Sequence, residues 1–198
     1  MSTRNTALSI LGCLLLVFGL AATQPGTVVS QQQHCYSVLA PVDTKSSDSS
    51  KVLESACFNS FSESIKAATK GRANLDPSVR PPDVTDEMLN SVGDKSSTST
   101  TAQIVIGIDF DNTNYGGSTY TWVVTTSGCT DTVFYSVSSM PAGWDNRVSS
   151  AKAYSNCNYF YHYQNINFGT PSVVCNTDCS GMGSLDNATS SEKWQKNP

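Results

Sequence analysis

Two stretches of this chain spell the same phrase 41 positions apart: WDNRVSS at Trp144–Ser150 and LDNATSS at Leu185–Ser191. Each is an Asp-Asn pair, two free positions and a pair of hydroxyl residues. Upstream of each lies an aromatic hairpin phrase, FDNTNYGGSTY from Phe110 and YQNINFGTP from Tyr163, with Phe110 and Tyr115 at the same separation as Tyr163 and Phe168. A unit written twice folds as two copies of one supersecondary motif that share a core. That constrains the second half of the chain more than any other feature.

The repeated unit is built of strands. QIVIGIDF, TYTWVVTT, DTVFYSVSS and NYFYHYQNINF are rich in β-branched and aromatic residues, and NYGGS, TSGCTD and PAGWDN punctuate them as turns. Short strands at this spacing predict a sandwich of Greek keys and no long helix between Gln103 and Ser180. In the first hairpin the backbone turns at Gly116 and Gly117 and brings the two rings together. The counterpart of Gly117 is Thr170, which predicts a strained or widened second hairpin.

The spacing of Phe110, Tyr115 and Gly117, followed by the Asp-Asn, two-residue, Ser-Ser phrase, resembles the βγ-crystallin domain in its microbial, calcium-binding form. The resemblance covers about residues 104–194 and implies a mainly β, double Greek-key βγ-crystallin-like sandwich. WDNRVSS and the cysteine-bearing strands also resemble a bacterial secreted metalloprotease-inhibitor family of the same fold. Calcium takes six to eight oxygens from carboxylates, amides, carbonyls and water, which suits these loops. The resemblance implies one site from Asn146, the Arg147 carbonyl and Ser149 with Gln164, and another from Asn187, the Ala188 carbonyl and Ser190 with Asp111. Asn187, Ala188 and Thr189 also form an N-glycosylation sequon. A sugar on Asn187 would spoil the second site, so the first is favoured.

The N-terminal half reads differently. Arg4 followed by ALSILGCLLLVFGLAA is the layout of a secretory signal peptide, residues 1–23, with a polar leader over 24–34. Losing Cys13 leaves six cysteines, an even count that reads as disulfides in an exported chain. Expected pairs are Cys35–Cys57, Cys129–Cys157 and Cys175–Cys179, chosen from fifteen possible pairings that sequence alone does not fix. The absence of C-x-x-C spacing, with only His34 and His162 to assist, argues against structural zinc.

Residues 35–93 predict a small α/β appendage. CYSVLAPV alternates as a strand, and Leu53, Cys57, Phe61, Ile65 and Ala68 form a helical stripe from Ser50 to Lys70, capped by Ser49 or Ser50 and ended by Gly71. A second short helix starts near Pro82 or Asp83, with Val84, Met88 and Leu89 facing inward. This region is too sparsely apolar to make a generous core alone and must lean on the strands downstream of it. Residues 94–102 form a Ser/Thr linker, and 103–198 the β domain.

With 12 basic and 16 acidic residues and no basic tract, nucleic acid and anionic membrane are excluded as main partners. HExxH, GxSxG and P-loop motifs are absent. His162 reads as a strand surface residue. Tyr154, Tyr159, Phe160, Tyr161 and Tyr163 read as mostly core, with a sugar-stacking face as the other use. The expectation is a secreted, non-enzymatic, calcium-binding protein with a structural role in the extracellular space. The alternatives are an inhibitor of a secreted metalloprotease and a carbohydrate or wall-polysaccharide binder.

Overall fold

The computed structural model describes residues 32–42, 48–91 and 103–198. The signal segment 1–23, most of the leader and the linker 94–102 lie outside the described residues. The elements run β1 (His34–Leu39), β2 (Val52–Phe58), α1 (Phe61–Ala68), α2 (Asp86–Asn90), β3 (Ile104–Asn112), β4 (Gly116–Val124), β5 (Tyr135–Val137), β6 (Ser150–Ala153), β7 (Tyr159–Asn165), β8 (Gly169–Asn176), β9 (Asp178–Cys179) and β10 (Ser191–Gln195). Between Gln103 and Ser180 the one helical segment is a three-residue 3-10 turn, Ile166–Phe168.

Strands β3 to β6 are one repeat and β7 to β10 the other. The strand order is β2-β1-β4-β3-β6-β9-β8-β7-β10-β5. Each repeat therefore lends its short third strand to the other's layer: β9 lies beside β6, and β5 beside β10. The two layers meet through one pairing, Asn176 with Asp178. The result is a mainly β, double Greek-key sandwich, as the duplication predicts.

Tyr120, Trp122, Trp144, Val148, Phe160, Leu185 and Trp194 fill the space between the layers. A second core lies on the outer face of the first layer, where Tyr36, Val38, Phe61, Ile65, Ala68, Val84 and Leu89 pack on Val105, Ile108, Phe110 and Val123. That explains the near-continuous apolar texture of β3 and β4, since a strand covered on both faces has no reason to alternate. The N-terminal region leans on the β domain through the sheet itself: all six residues of β1 pair in parallel with Thr119–Val124.

The three expected disulfides form. Cys35 and Cys57 face each other across β1 and β2, so the bridge joins two strands rather than a strand and a helix. The helix expected from Ser50 to Lys70 is correct only from Phe61 onward. Its first half is β2, where Val52 and Leu53 are exposed while Glu54, Ala56 and Phe58 are half-buried. Leu53 and Cys57 fit a step of four by coincidence, and pairing with β1 satisfies the backbone that a helix would have closed on itself. Extended Ser60 starts α1 in place of Ser49 or Ser50, and Gly71, at φ 81°, follows its end.

The second short helix begins at Asp86, where the Thr85 hydroxyl accepts from the Met88 N–H. Pro81–Asp83 forms a separate 3-10 turn. Val84 and Leu89 are buried as expected, whereas Met88 is exposed. Of the aromatic cluster, Phe160 and Tyr154 are buried. Tyr159, Tyr161 and Tyr163 are half-buried, and the rings of Tyr161 and Tyr163 stack at 6.2 Å.

Candidate functional site

The two Asp-Asn loops meet face to face, and their hydrogen bonds are reciprocal. The Asn146 N–H donates to the Thr189 carbonyl at 2.9 Å, and the Asn187 N–H donates to the Val148 carbonyl at 3.0 Å. Met182 N–H donates to Ser149 O at 3.0 Å, and Met140 N–H to Ser190 O at 2.8 Å. Both asparagines hold left-handed backbone, φ 58° at Asn146 and 55° at Asn187, which Asn tolerates better than most residues. A local twofold relation therefore runs between the repeats.

Each loop is also tied to the hairpin of its own repeat. Ser149 N–H donates to Phe110 O and Ser190 N–H to Tyr163 O, both at 2.8 Å. The next serine reaches the hairpin tip with its side chain. Ser150 Oγ donates to Asn112 O at 2.6 Å and accepts from Tyr115 N–H at 3.0 Å. Ser191 Oγ donates to Asn165 O at 2.7 Å and accepts from Phe168 N–H at 3.0 Å. The last serine of the phrase thus holds the fold.

Other groups remain available for a ligand. Among the described residues no backbone N–H donates to the carbonyl of Arg147 or Ala188. Asn146 Oδ1 and Ser190 Oγ, from opposite loops, stand 3.5 Å apart, at the outer limit of a hydrogen bond. Neighbouring oxygens around a calcium ion with bonds of about 2.4 Å are roughly 3.4 Å apart. The donor set and this spacing fit a hard cation, and they couple Asn146 to the opposite loop.

Asp111 lies beside the first loop. Its Oδ1 accepts from Ser118 N–H at 2.7 Å and its Oδ2 from Arg147 at 2.8 Å. The Arg147 guanidinium also donates to the Gly143 carbonyl and lies 4.9 Å from the Trp144 ring centroid. A cation at Asp111 would share that carboxylate with the Arg147 guanidinium, which already occupies Oδ2. Gln164 is exposed, and its neighbour Tyr163 adjoins Ser190.

Gly117 has a specific role here. At φ 81°, a Cβ on it would lie 1.9 Å from Asp111 Oδ1, so this glycine makes room for the carboxylate. The second hairpin has no such carboxylate, and Thr170 sits in β8 outside the left-handed region. Asn165 pairs with Gly169 just as Asn112 pairs with Gly116. The expected strain is therefore absent.

One cluster was not expected from the sequence. His162, read as a surface residue, is fully buried between the layers with Asp109 and Glu192. Its Nε2 lies 3.2 Å from Asp109 Oδ1 and 3.4 Å from Glu192 Oε1. Trp122 Nε1–H donates to Asp109 Oδ2 at 2.7 Å. Burial, reinforced by the Asp109 carboxylate, pushes the Glu192 carboxyl well above its ordinary range. Numbering the repeats by their hairpins would have given the signal, because Phe110 matching Tyr163 makes Asp109 and His162 equivalent positions of paired motifs.

No protein-family model and no curated protein matches this chain. Solved structures do. A βγ-crystallin from Ciona intestinalis is 22% identical, with 45% of this chain and 98% of that chain covered and a TM-score of 0.34. A βγ-crystallin domain from Flavobacterium johnsoniae is 23% identical, with coverages of 46% and 96% and a TM-score of 0.32. An archaeal βγ-crystallin is 19% identical, with coverages of 46% and 96% and a TM-score of 0.33.

Proposed function

We propose that this chain is a secreted, non-enzymatic structural protein whose paired Asp-Asn loops bind calcium and thereby clamp the two Greek keys together. One observation carries the reading: the loops lock reciprocally while Asn146 Oδ1 and Ser190 Oγ stand at the spacing of neighbouring calcium ligands. Asn146, the Ala188 carbonyl and Ser190 would hold one ion, and Asn187, the Arg147 carbonyl and Ser149 its twin. The twin adjoins the Arg147 guanidinium and its asparagine lies in a glycosylation sequon, so the first is the stronger. Three disulfides accord with an oxidising compartment. Among the described residues no helix is long and apolar enough to cross a membrane.

Because each ion touches both repeats, binding favours the folded state by RT ln(1 + [L]/Kd), about 2.7 kcal/mol when free calcium is a hundredfold above Kd. The test is thermal unfolding of the oxidised protein in calcium and in chelator. The wild type should gain stability with calcium, and Asn146→Ala with Ser190→Ala should lose most of that gain. Equal melting in calcium and chelator would refute the proposal.

A further inference from the structure

Asp109, His162 and Glu192 come from β3, β7 and β10, and each is completely buried. One ligand atom from each lies within 4.8 Å of the others. A bare core would not leave them so. Neither Glu192 oxygen makes a well-aligned hydrogen bond among the described residues, Oε1 having only the 3.4 Å approach of His162 Nε2, and a carboxyl buried this way is costly to ionise unless a cation holds it. His162 Nε2 lies between Asp109 and Glu192 but has only one proton to give, and the shorter approach is to Asp109.

We propose that these three side chains form a buried site for a single divalent transition-metal ion of the zinc class, separate from the calcium loops. Two ligands about 2.0–2.1 Å from a tetrahedral zinc ion lie roughly 3.3–3.4 Å apart. The His162 to Asp109 and His162 to Glu192 separations of 3.2 and 3.4 Å match that spacing, and the two carboxylates, within 4.8 Å of each other, would draw together around the ion. Two carboxylates balance the dication's charge, and the second free oxygen of Glu192 supplies a fourth donor. The Trp122 N–H on the other Asp109 oxygen fixes that ligand's orientation, as outer hydrogen bonds do in metal sites. An imidazole among only three side chains suits zinc and not calcium, which needs six to eight oxygens.

Since none of the three ligands is solvent-accessible, the ion enters as the chain folds. The experiment therefore produces the protein in zinc-supplemented medium and also refolds it, bridges intact, with zinc or with chelator. After excess metal is removed, bound zinc is counted by elemental mass spectrometry. Wild type should retain about one zinc per chain, as a single closed site does. Glu192→Gln keeps the side chain's shape, removes its charge and should retain less than about a tenth of that amount.

Refolding with cobalt should quench the fluorescence of Trp122, which touches the site, in wild type but not in Glu192→Gln. Glu87→Gln, an exposed acid on α2, should retain zinc as wild type does, and because zinc is counted without calcium, failure of the calcium reading leaves this result unaffected. Folded wild type without zinc, or Glu192→Gln with as much as wild type, would overturn the proposal.

Discussion

The two serines that end each repeated phrase should separate by function, and replacing them one at a time tests this. Ser150→Ala leaves the backbone intact but removes the hydroxyl that joins Asn112 O to Tyr115 N–H. A buried polar group left without a partner costs about 1–3 kcal/mol. Two are stranded here, but Asn112 is exposed and Tyr115 half-buried, so water recovers part of the loss. The expected cost is about 2 kcal/mol, near the low end for two such groups. In a domain of this size that lowers Tm by roughly 4–8 °C.

Ser191→Ala should cost the same, because its bonds to Asn165 O and Phe168 N–H repeat those lengths to within 0.1 Å. Ser149→Ala is the comparison. The fold uses Ser149 through its backbone, donating to Phe110 O and accepting from Met182 N–H, and both bonds survive the change. In chelator it should cost less than about 1 kcal/mol, while calcium stabilises it less than wild type. Urea unfolding of the four proteins, each with and without calcium, measures all of these quantities. If Ser150→Ala stays within about 0.5 kcal/mol of wild type, or Ser149→Ala costs as much in chelator, the division of labour is refuted.

Gly117→Ala forces left-handed backbone on a residue with a Cβ and drives that Cβ into Asp111 Oδ1. About 3 kcal/mol of destabilisation is expected by chemical denaturation, whereas Thr170→Gly, outside the left-handed region, should cost less than about 1 kcal/mol. Burial holds the His34 imidazole below its ordinary value of 6.5, with Asp111 partly opposing the shift. The unfolded chain therefore takes up a proton first as pH falls. Stability should be full above about pH 6.5 and fall below it by at most about 1.4 kcal/mol per unit, a limb that His34→Gln should flatten in urea melts at stepped pH. Removing the Cys35–Cys57 bridge, which spans 22 residues of sequence, should cost about 3 kcal/mol in a calorimetric melt of the double alanine variant.

What the sequence revealed was whatever the repeat states twice. Strand texture, hairpins and Asp-Asn loops recur at a fixed offset, and the fold follows from them. The cysteine pairs form as expected, although the even count in an exported chain pointed to bridges without fixing which of the fifteen pairings they make. Residues 52–58 were misread because a stripe at steps of three and four also fits a strand of seven residues when it is read together with the helix after it. Nothing local indicated that β1 would add in parallel to β4, a pairing between segments 85 residues apart. The guanidinium on Asp111 was hidden for a related reason: Arg147 was valued for its carbonyl, and side-chain direction is set by packing against Trp144.

Laid over each other, the two repeats agree and differ in an ordered way. Asn112 and Asn165, Asn114 and Asn167, Asn146 and Asn187, and Ser150 and Ser191 are the same residue at equivalent places. They carry the paired hydrogen bonds that both halves need. Four charged positions differ between the repeats: Asp109 opposite His162, Ala151 opposite Glu192, Asp111 opposite Gln164 and Arg147 opposite Ala188. These differences come in matched sets, for Asp111 meets Arg147, and Asp109 and Glu192 meet His162. In a core that two identical repeats could have filled with apolar side chains, an acid, a second acid and an imidazole at one point impose a large desolvation cost. The proposed cation would offset that cost, and the cluster of two acids and an imidazole is the feature that symmetry alone would never have produced.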